Sequence, residues 1–192
     1  MSGVTVRTLQ ADDAERLLRF ELDNRAWFER HIDPRGEAFY TADGVRDHIA
    51  HYLDAHARRL WHPCVMLDQF GAIVGRANLK DIDVRARVAE VGYRMAQRQT
   101  GTGLATQAVR HLIDLARARW ALERLVGHVS VDNAASARVL EKCGFVRSEP
   151  RINVASPPDA HLDGYHYALD LRDAAPLAGP ASGATDMAPA HR

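Results

Sequence analysis

Glu90-Val-Gly-Tyr93-Arg-Met95-Ala-Gln-Arg98-Gln-Thr-Gly101-Thr-Gly103-Leu-Ala105 is the stretch on which the reading of this 192-residue chain turns. Glu90 to Met95 has the residue types of a strand, and the segment after it passes through two glycines into a helical pattern. Gly101 and Gly103 can adopt positive φ and let backbone amides approach a ligand with no Cβ in the way. The unpaired N–H groups of a first helical turn, with the helix dipole, then favour an anion there.

Upstream of it, Val4 to Leu9 alternates as a first strand, and Ala11 to Asn24 reads as a helix with Asp12 or Asp13 as cap and Leu17, Leu18, Phe20 and Leu22 as its buried stripe. Trp27 and Phe28 follow, as a core plug or as the wall of a substrate pocket. A second helix spans Asp43 to Arg59, begins at an Asp cap and carries Val45, Ile49, Tyr52 and Leu53 on one side. Pro63 to Asp68 and Ala72 to Leu79 are strands joined around Gln69-Phe70-Gly71, and a turn over 82–87 leads into Val88 to Met95. Three strands in succession predict a mostly antiparallel meander.

Downstream, Ala105, Val109, Leu112 and Ala116 mark an amphipathic helix laid on that sheet. Arg124 to Val131 is a strand; Asp132-Asn133 caps a short helix holding Ser136, Val139 and Leu140, and Gly144 stops it. Phe145 to Ser148 starts another strand, 153–163 is a loop, and Gly164 to Leu171 alternates with Tyr165 and Tyr167 on one side and His166 on the other. Residues 1–172 form one domain in this reading, and the Pro-, Gly- and Ala-rich residues 173–192 are expected to be a disordered tail.

Twenty-five basic and 25 acidic side chains cancel, so no overall field argues for nucleic acid or an anionic membrane as partner. A composition 46% hydrophobic and 26% charged is that of a globular protein. With no basic leader before an apolar run, and no run of about 18 apolar residues, the expected location is the cytoplasm. Cys64 and Cys143 lack CxxC spacing and are expected to be reduced and buried; the ten histidines include no HExxH, so no metal site is predicted.

Several folds place a glycine turn between strand and helix. A Walker loop needs Gly-Lys-Ser/Thr where this chain has Gly103-Leu104-Ala105, and a dinucleotide fingerprint needs a small third residue where it has Thr106. Arg98-Gln-Thr-Gly101-Thr-Gly103 instead resembles the Q/R-x-x-G-x-G/A acetyl-CoA signature of the GNAT acetyltransferases. Asn133-Ala-Ala-Ser136-Ala-Arg-Val-Leu140-Glu-Lys-Cys-Gly144-Phe145 is similar to that family's asparagine-to-Gly-Phe helix, at the family's distance from the first motif. The resemblance covers about residues 4–171. Asn24-Arg25 with Trp27, the Glu90 to Tyr93 strand and Ser136 are most similar to the RimJ/RimL branch, whose members acetylate protein N-termini; small-amine acetyltransferases share much of the pattern.

The resemblance implies a mixed α/β (α+β) GNAT fold, a splayed, mostly antiparallel sheet of about seven strands flanked by helices, with acetyl-CoA as co-substrate. Backbone amides of Gln99, Thr100, Gly101, Thr102, Gly103, Leu104 and Ala105 would hold its diphosphate and Arg98 would add charge. The backbone of Tyr93 to Met95 would pair with pantetheine, and the Met95 N–H would polarise the thioester carbonyl. Glu90 is the implied general base, or else a structural carboxylate paired with Arg76 or Arg94. Many family members place a tyrosine where this chain has Leu140; Ser136 would serve the leaving sulfur instead, unless it bonds its own i−4 carbonyl. Asn133 would bond pantetheine, cap its helix, or both. Trp27, Phe28 and Tyr165 would line the acceptor slot. The implied function is transfer of acetyl to a primary amine, foremost a protein N-terminal α-amino group, by direct attack. A small-molecule, toxin or antibiotic amine as acceptor, and a non-catalytic acetyl-CoA-binding module, are the alternatives. A homodimer is compatible with all three.

Overall fold

The computed structural model describes residues 3–30, 34–148 and 164–172. The expected loop over 153–163 and the tail over 173–192 lie outside the described residues. In chain order the elements are β1 (Thr5–Thr8), α1 (Ala14–Asp23), α2 (Arg25–Phe28), α3 (Ala42–Ala57), β2 (His62–Leu67), β3 (Ile73–Asp83), β4 (Val88–Met95), α4 (Leu104–Ala118), β5 (Arg124–Ser130), α5 (Ala134–Lys142), β6 (Val146–Arg147) and β7 (Gly164–Asp170). They build one seven-stranded sheet in the order β1-β2-β3-β4-β5-β7-β6.

All neighbouring strands are antiparallel except β4 and β5, which run parallel and pair only from Val88 to Glu90, opposite Arg124 to Val126. Beyond Glu90 the two part. β4 continues along β3 as far as Met95, while β5 follows β7 over its whole length. Leu140 of α5 packs where they separate: a Cβ on Gly127 would come within 3.1 Å of Leu140 Cδ1 and 3.3 Å of Val91 Cγ2. A side chain at 127 would contest the space that Leu140 fills.

One face of the sheet carries Ala89, Val91, Leu125, Val129, Tyr167 and Leu169, and α4 buries Leu104, Ala108, Val109, Leu112, Ile113 and Ala116 against it. On the other face Leu17 and Phe20 of α1 and Val45 and Ile49 of α3 close over Val65 and Ile73. The helical period predicted from the apolar residues thus matches in α4. In α1 it matches in part: Leu17 and Phe20 are buried and Leu18 packs beside them, but Leu22 is 48% exposed, and Glu21 and the cap residue Asn24 share the buried side. Spacings of three, four and seven from Leu17 put a carboxylate and an amide on the buried side.

Two caps also differ from expectation. Thr41, not Asp43, caps α3, its Oγ1 accepting the Gly44 N–H at 3.1 Å; a Cβ on Gly44 would collide with the Ala38 carbonyl. Asp13 sits at the start of α1, but its buried carboxylate accepts from the Gln10 N–H at 2.8 Å and from Arg7 at 2.6 and 2.7 Å, tying β1 to the helix instead of capping it. Strand β3 runs on to Asp83, past the expected end at Leu79. Cys64 and Cys143 are free and buried, and burial pushes the Cys64 thiol up to about 12.

Candidate active site

A cleft of about 770 Å³ opens where β4 leaves β5. Its inner wall is the edge of β4. Ala96 N–H donates to the Val74 carbonyl at 3.0 Å, continuing the register that sets Gly75 against Met95 and Arg76 against Arg94. An antiparallel ladder alternates, so the backbone groups of Arg94 and Gly92 face β3, while the N–H and C=O groups of Tyr93 and Met95, beyond the last pairing with β5 at Glu90, turn toward the parted side. They form an unpaired strand edge inside the cleft.

The strand leads into a turn over Gln97–Gln99, steadied by Asn24: its Oδ1 accepts the Gln97 N–H at 2.9 Å and its Nδ2 donates to the Phe20 carbonyl at 2.8 Å. Thr102 Oγ1 donates to the Gln99 carbonyl at 2.8 Å. Gly101 and Gly103 then take φ values of +79° and +85°, and a Cβ on either would meet nothing within 4 Å. The cap of the 15-residue α4 is Gly103, which has no side chain to satisfy the first-turn amides. Those amides and the dipole face open space, as an anion requires. Arg98 is exposed beside them.

The sheet face opposite α4 forms the floor. Lys80 and Glu90 stand opposite each other on β3 and β4, with Lys80 Nζ 2.7 Å from Glu90 Oε1. His128 Nε2 lies 3.6 Å from Glu90 Oε2, and the His128 and His166 rings meet edge to face at 3.9 Å. Glu90 is 23% exposed and faces the cleft at the point where the strands divide. The structural alternative for Glu90 stands with a different partner: Arg76 and Arg94 pair with Glu21, and Lys80 on β3 is the cation that Glu90 meets.

Arg76 Nη1 donates to Glu21 Oε1 at 2.6 Å and Arg94 Nη1 to Oε2 at 3.2 Å. Arg76 Nη2 donates to His48 Nε2 at 2.8 Å, and burial with the neighbouring arginines pushes His48 down to about 2, so it accepts as a neutral ring. Burial pushes the Glu21 carboxyl up, but Arg76 and Arg94 outweigh it and hold the group below the usual carboxylate range. Burial also pushes the Arg94 guanidinium down to about 10. Glu21 is 1% exposed, so Glu21→Ala, which leaves two arginines facing each other without a carboxylate, should cost about 3–5 kcal/mol in a urea titration. Unchanged stability would show that the two charges relax into solvent.

On the α4 side of the cleft the Tyr93 hydroxyl lies 2.7 Å from Ser136 Oγ and 3.2 Å from the Ser136 carbonyl. Ser136 is therefore bonded across to β4 and not to its own helix. Burial pushes the Tyr93 phenol up to about 12, with the bond to Ser136 acting the other way. Asn133 Oδ1 accepts the Ser136 N–H at 3.0 Å, which realises its capping role, and Asn133 also lines the cleft.

Trp27 and Phe28 line the cleft from α2; Phe28 packs on Phe20 at 5.3 Å with the Arg94 guanidinium 5.2 Å from its ring. Tyr165 lies elsewhere. It packs on the core face beside Tyr167, under Arg147 at 4.4 Å, and is not among the residues lining the cleft. Lys80, His128, Asn78 and the Glu21 cluster escaped the sequence reading. The signal was there in Arg76, Asn78 and Lys80, which alternate with Ala77 and Leu79 and mark a polar sheet face.

Residues 4–146 match the acetyltransferase (GNAT) domain family, and the chain belongs to that family. It is 32% identical over 144 residues to the probable N-acetyltransferase YjcK of Bacillus subtilis (strain 168), a match spanning 74% of this chain and 80% of the relative. The putative ribosomal N-acetyltransferase YdaF of the same organism is 28% identical over 174 residues, 88% of this chain and 92% of YdaF. Among solved structures, the ribosomal-protein-S5-alanine acetyltransferase from Vibrio fischeri superposes with a TM-score of 0.81 at 23% identity, over 90% of this chain and 98% of that one. Acetyl transfer is the chemistry of this family, and its members use acetyl-CoA.

Proposed function

We propose that this chain acetylates a protein N-terminal α-amino group by direct attack of the amine on acetyl-CoA. The observation that carries the reading is that the unpaired edge of β4 ends at Glu90, a cleft-facing carboxylate on the floor where β4 and β5 divide. Acetyl-CoA supplies the acyl group as a thioester. The amides of Gly101, Gly103, Leu104 and Ala105 hold its diphosphate beside Arg98, whereas those expected at Gln99, Thr100 and Thr102 are taken by the carbonyls of Ala96, Gln97 and Gln99. The edge of Tyr93 to Met95 pairs with its pantetheine arm together with Asn133. A main-chain N–H of the Tyr93 to Met95 edge stabilises the developing oxyanion; with the amine held at Glu90, that of Tyr93, three residues along, lies nearer than that of Met95, five along. Glu90 takes the amine proton, directly or through water. An α-amine of reference pKa about 7.7–8.0 needs far less help than a lysine at about 10.4. YdaF, named a putative ribosomal N-acetyltransferase, supports a protein acceptor.

Ser136 donates to the sulfur, with the Tyr93 hydroxyl behind it as a hydrogen-bond partner. Ser136→Ala and Tyr93→Phe should each lower kcat about tenfold, and the double variant should be little worse than either because the pair acts as a unit. Fully additive losses in steady-state rates would separate the two roles.

Thiol release from acetyl-CoA tests the function itself, with peptides beginning Ser, Ala or Thr set against a panel of small amines. Release with the peptides is expected. Release with small amines alone would move the protein to small-molecule acetylation, and CoA binding without release would make it a binding module.

A further inference from the structure

Resting on the acetyltransferase reading, we infer that the acceptor end of the cleft is built for an amine that carries a carboxylate within two or three residues of the reacting nitrogen, and that it disfavours polycations. Arg76 and Arg94 stand directly opposite each other on β3 and β4. Like charges so placed repel each other. The fold answers the two guanidinium groups with one carboxylate, whose oxygens are both used: Glu21 Oε1 faces Arg76 and Oε2 faces Arg94. His48 is neutral and adds no negative charge, and Arg35 adds to the positive field at Glu21 and at Arg94. Among the described residues the cluster is one carboxylate against two contacting arginines. The rings of Tyr52 and Phe28, 5.1 and 5.2 Å from Arg76 and Arg94, offset only part of that excess.

Of the two, Arg94 can reach a ligand. Arg76 is 3% exposed, whereas Arg94 is 23% exposed and lines the cleft. One of its terminal nitrogens holds Glu21; the remaining N–H donors of the fork are suited to a second carboxylate.

Glu90 lies on the same face of β4, four residues away, and Gly92 between them adds no side chain of its own. It leaves room for that of Lys80, whose Cε and Nζ stand 3.0 and 3.7 Å from where a Cβ on Gly92 would be. At about 3.4 Å per strand residue, Glu90 and Arg94 are about 13 Å apart along the backbone. An extended peptide with its amine near Glu90 therefore brings a carboxylate at its second or third position within reach of the Arg94 side chain.

The test uses the unaltered protein first. Peptides Ser-Ala-Glu-Ala and Ser-Glu-Ala-Ala, amidated at the C-terminus, are compared in kcat/KM with their lysine counterparts and with spermidine. A preference of at least about tenfold for the glutamate peptides is expected, narrowing as salt is raised. A short peptide with a free C-terminal carboxylate, set against its amide, shows whether the acceptor's own terminus can supply the anion; a preference for the free acid supports the inference with that source. Arg94→Gln should bring the glutamate-to-lysine ratio near one, and Arg94→Glu should invert it, with CoA titration verifying that the cofactor site persists.

Equal rates for both charges, or a preference for lysine peptides or spermidine, would overturn the inference while leaving acetyl transfer intact. If no amine is acetylated, the proposed function fails. Equilibrium binding of the same peptides to the CoA-loaded protein then decides the inference: tighter glutamate peptides support it, and equal affinities overturn it.

Discussion

Gly103→Val is expected to remove CoA binding, with affinity falling at least about a hundredfold, the equivalent of about 2.7 kcal/mol. Gly103 has φ +85° and caps α4. A valine there would strain the backbone by about 1–2 kcal/mol and put a branched side chain at the mouth of the first turn of α4, where the glycine leaves open space. That space holds no protein atom within 4 Å of the new Cβ, so the fold meets no internal collision. Calorimetric titration with CoA, beside a melting curve of the same sample, separates lost binding from lost folding. A folded variant that keeps its affinity would refute the anion cradle at the start of α4.

Glu90→Gln has the second large effect. Turnover should drop about 10²-fold, the lower end of what a positioned base contributes, while CoA affinity stays within about twofold because Glu90 lies on the face of β4 opposite α4. The substitution also removes the Lys80 ion pair, but that pair is partly exposed and its loss should cost at most about 1 kcal/mol of stability. Equal losses in turnover and CoA affinity would identify Glu90 as a support of the groove and not as the proton acceptor.

The order of strands and helices was legible because each period is local. Residues 88–95 alternate, α4 repeats its apolar residues at helical spacing, and Gly101 and Gly103 announce a turn with positive φ. Two motifs far apart in the chain then fitted one family, and the structure brings Tyr93 on β4 and Ser136 on α5 into hydrogen-bond contact.

What stayed hidden depends on register between distant segments. Glu90 was visible, but its neighbours Lys80 and His128 follow from the pairing of β4 with both β3 and β5, which no single window contains. Arg94 looked like a partner for Glu90, yet four residues along a strand separate their positions, and Glu21 of α1 reaches across to claim it. Glu21 itself was masked because a stripe drawn from apolar residues passes over a buried charge. Tyr165 and Tyr167 were correctly placed on one side of β7, but alternation alone does not say which side meets the core; the buried Tyr167 decides it.

The most direct measurement is the position of the acetyl group on a single acceptor. A peptide with a free N-terminal serine, a glutamate at position three and an internal lysine is incubated with acetyl-CoA and the protein, and fragment mass spectra locate the product. Acetyl on the α-nitrogen is the expected result. Acetyl on the lysine alone, or no transfer by protein that still binds CoA, would contradict an N-terminal acetyltransferase.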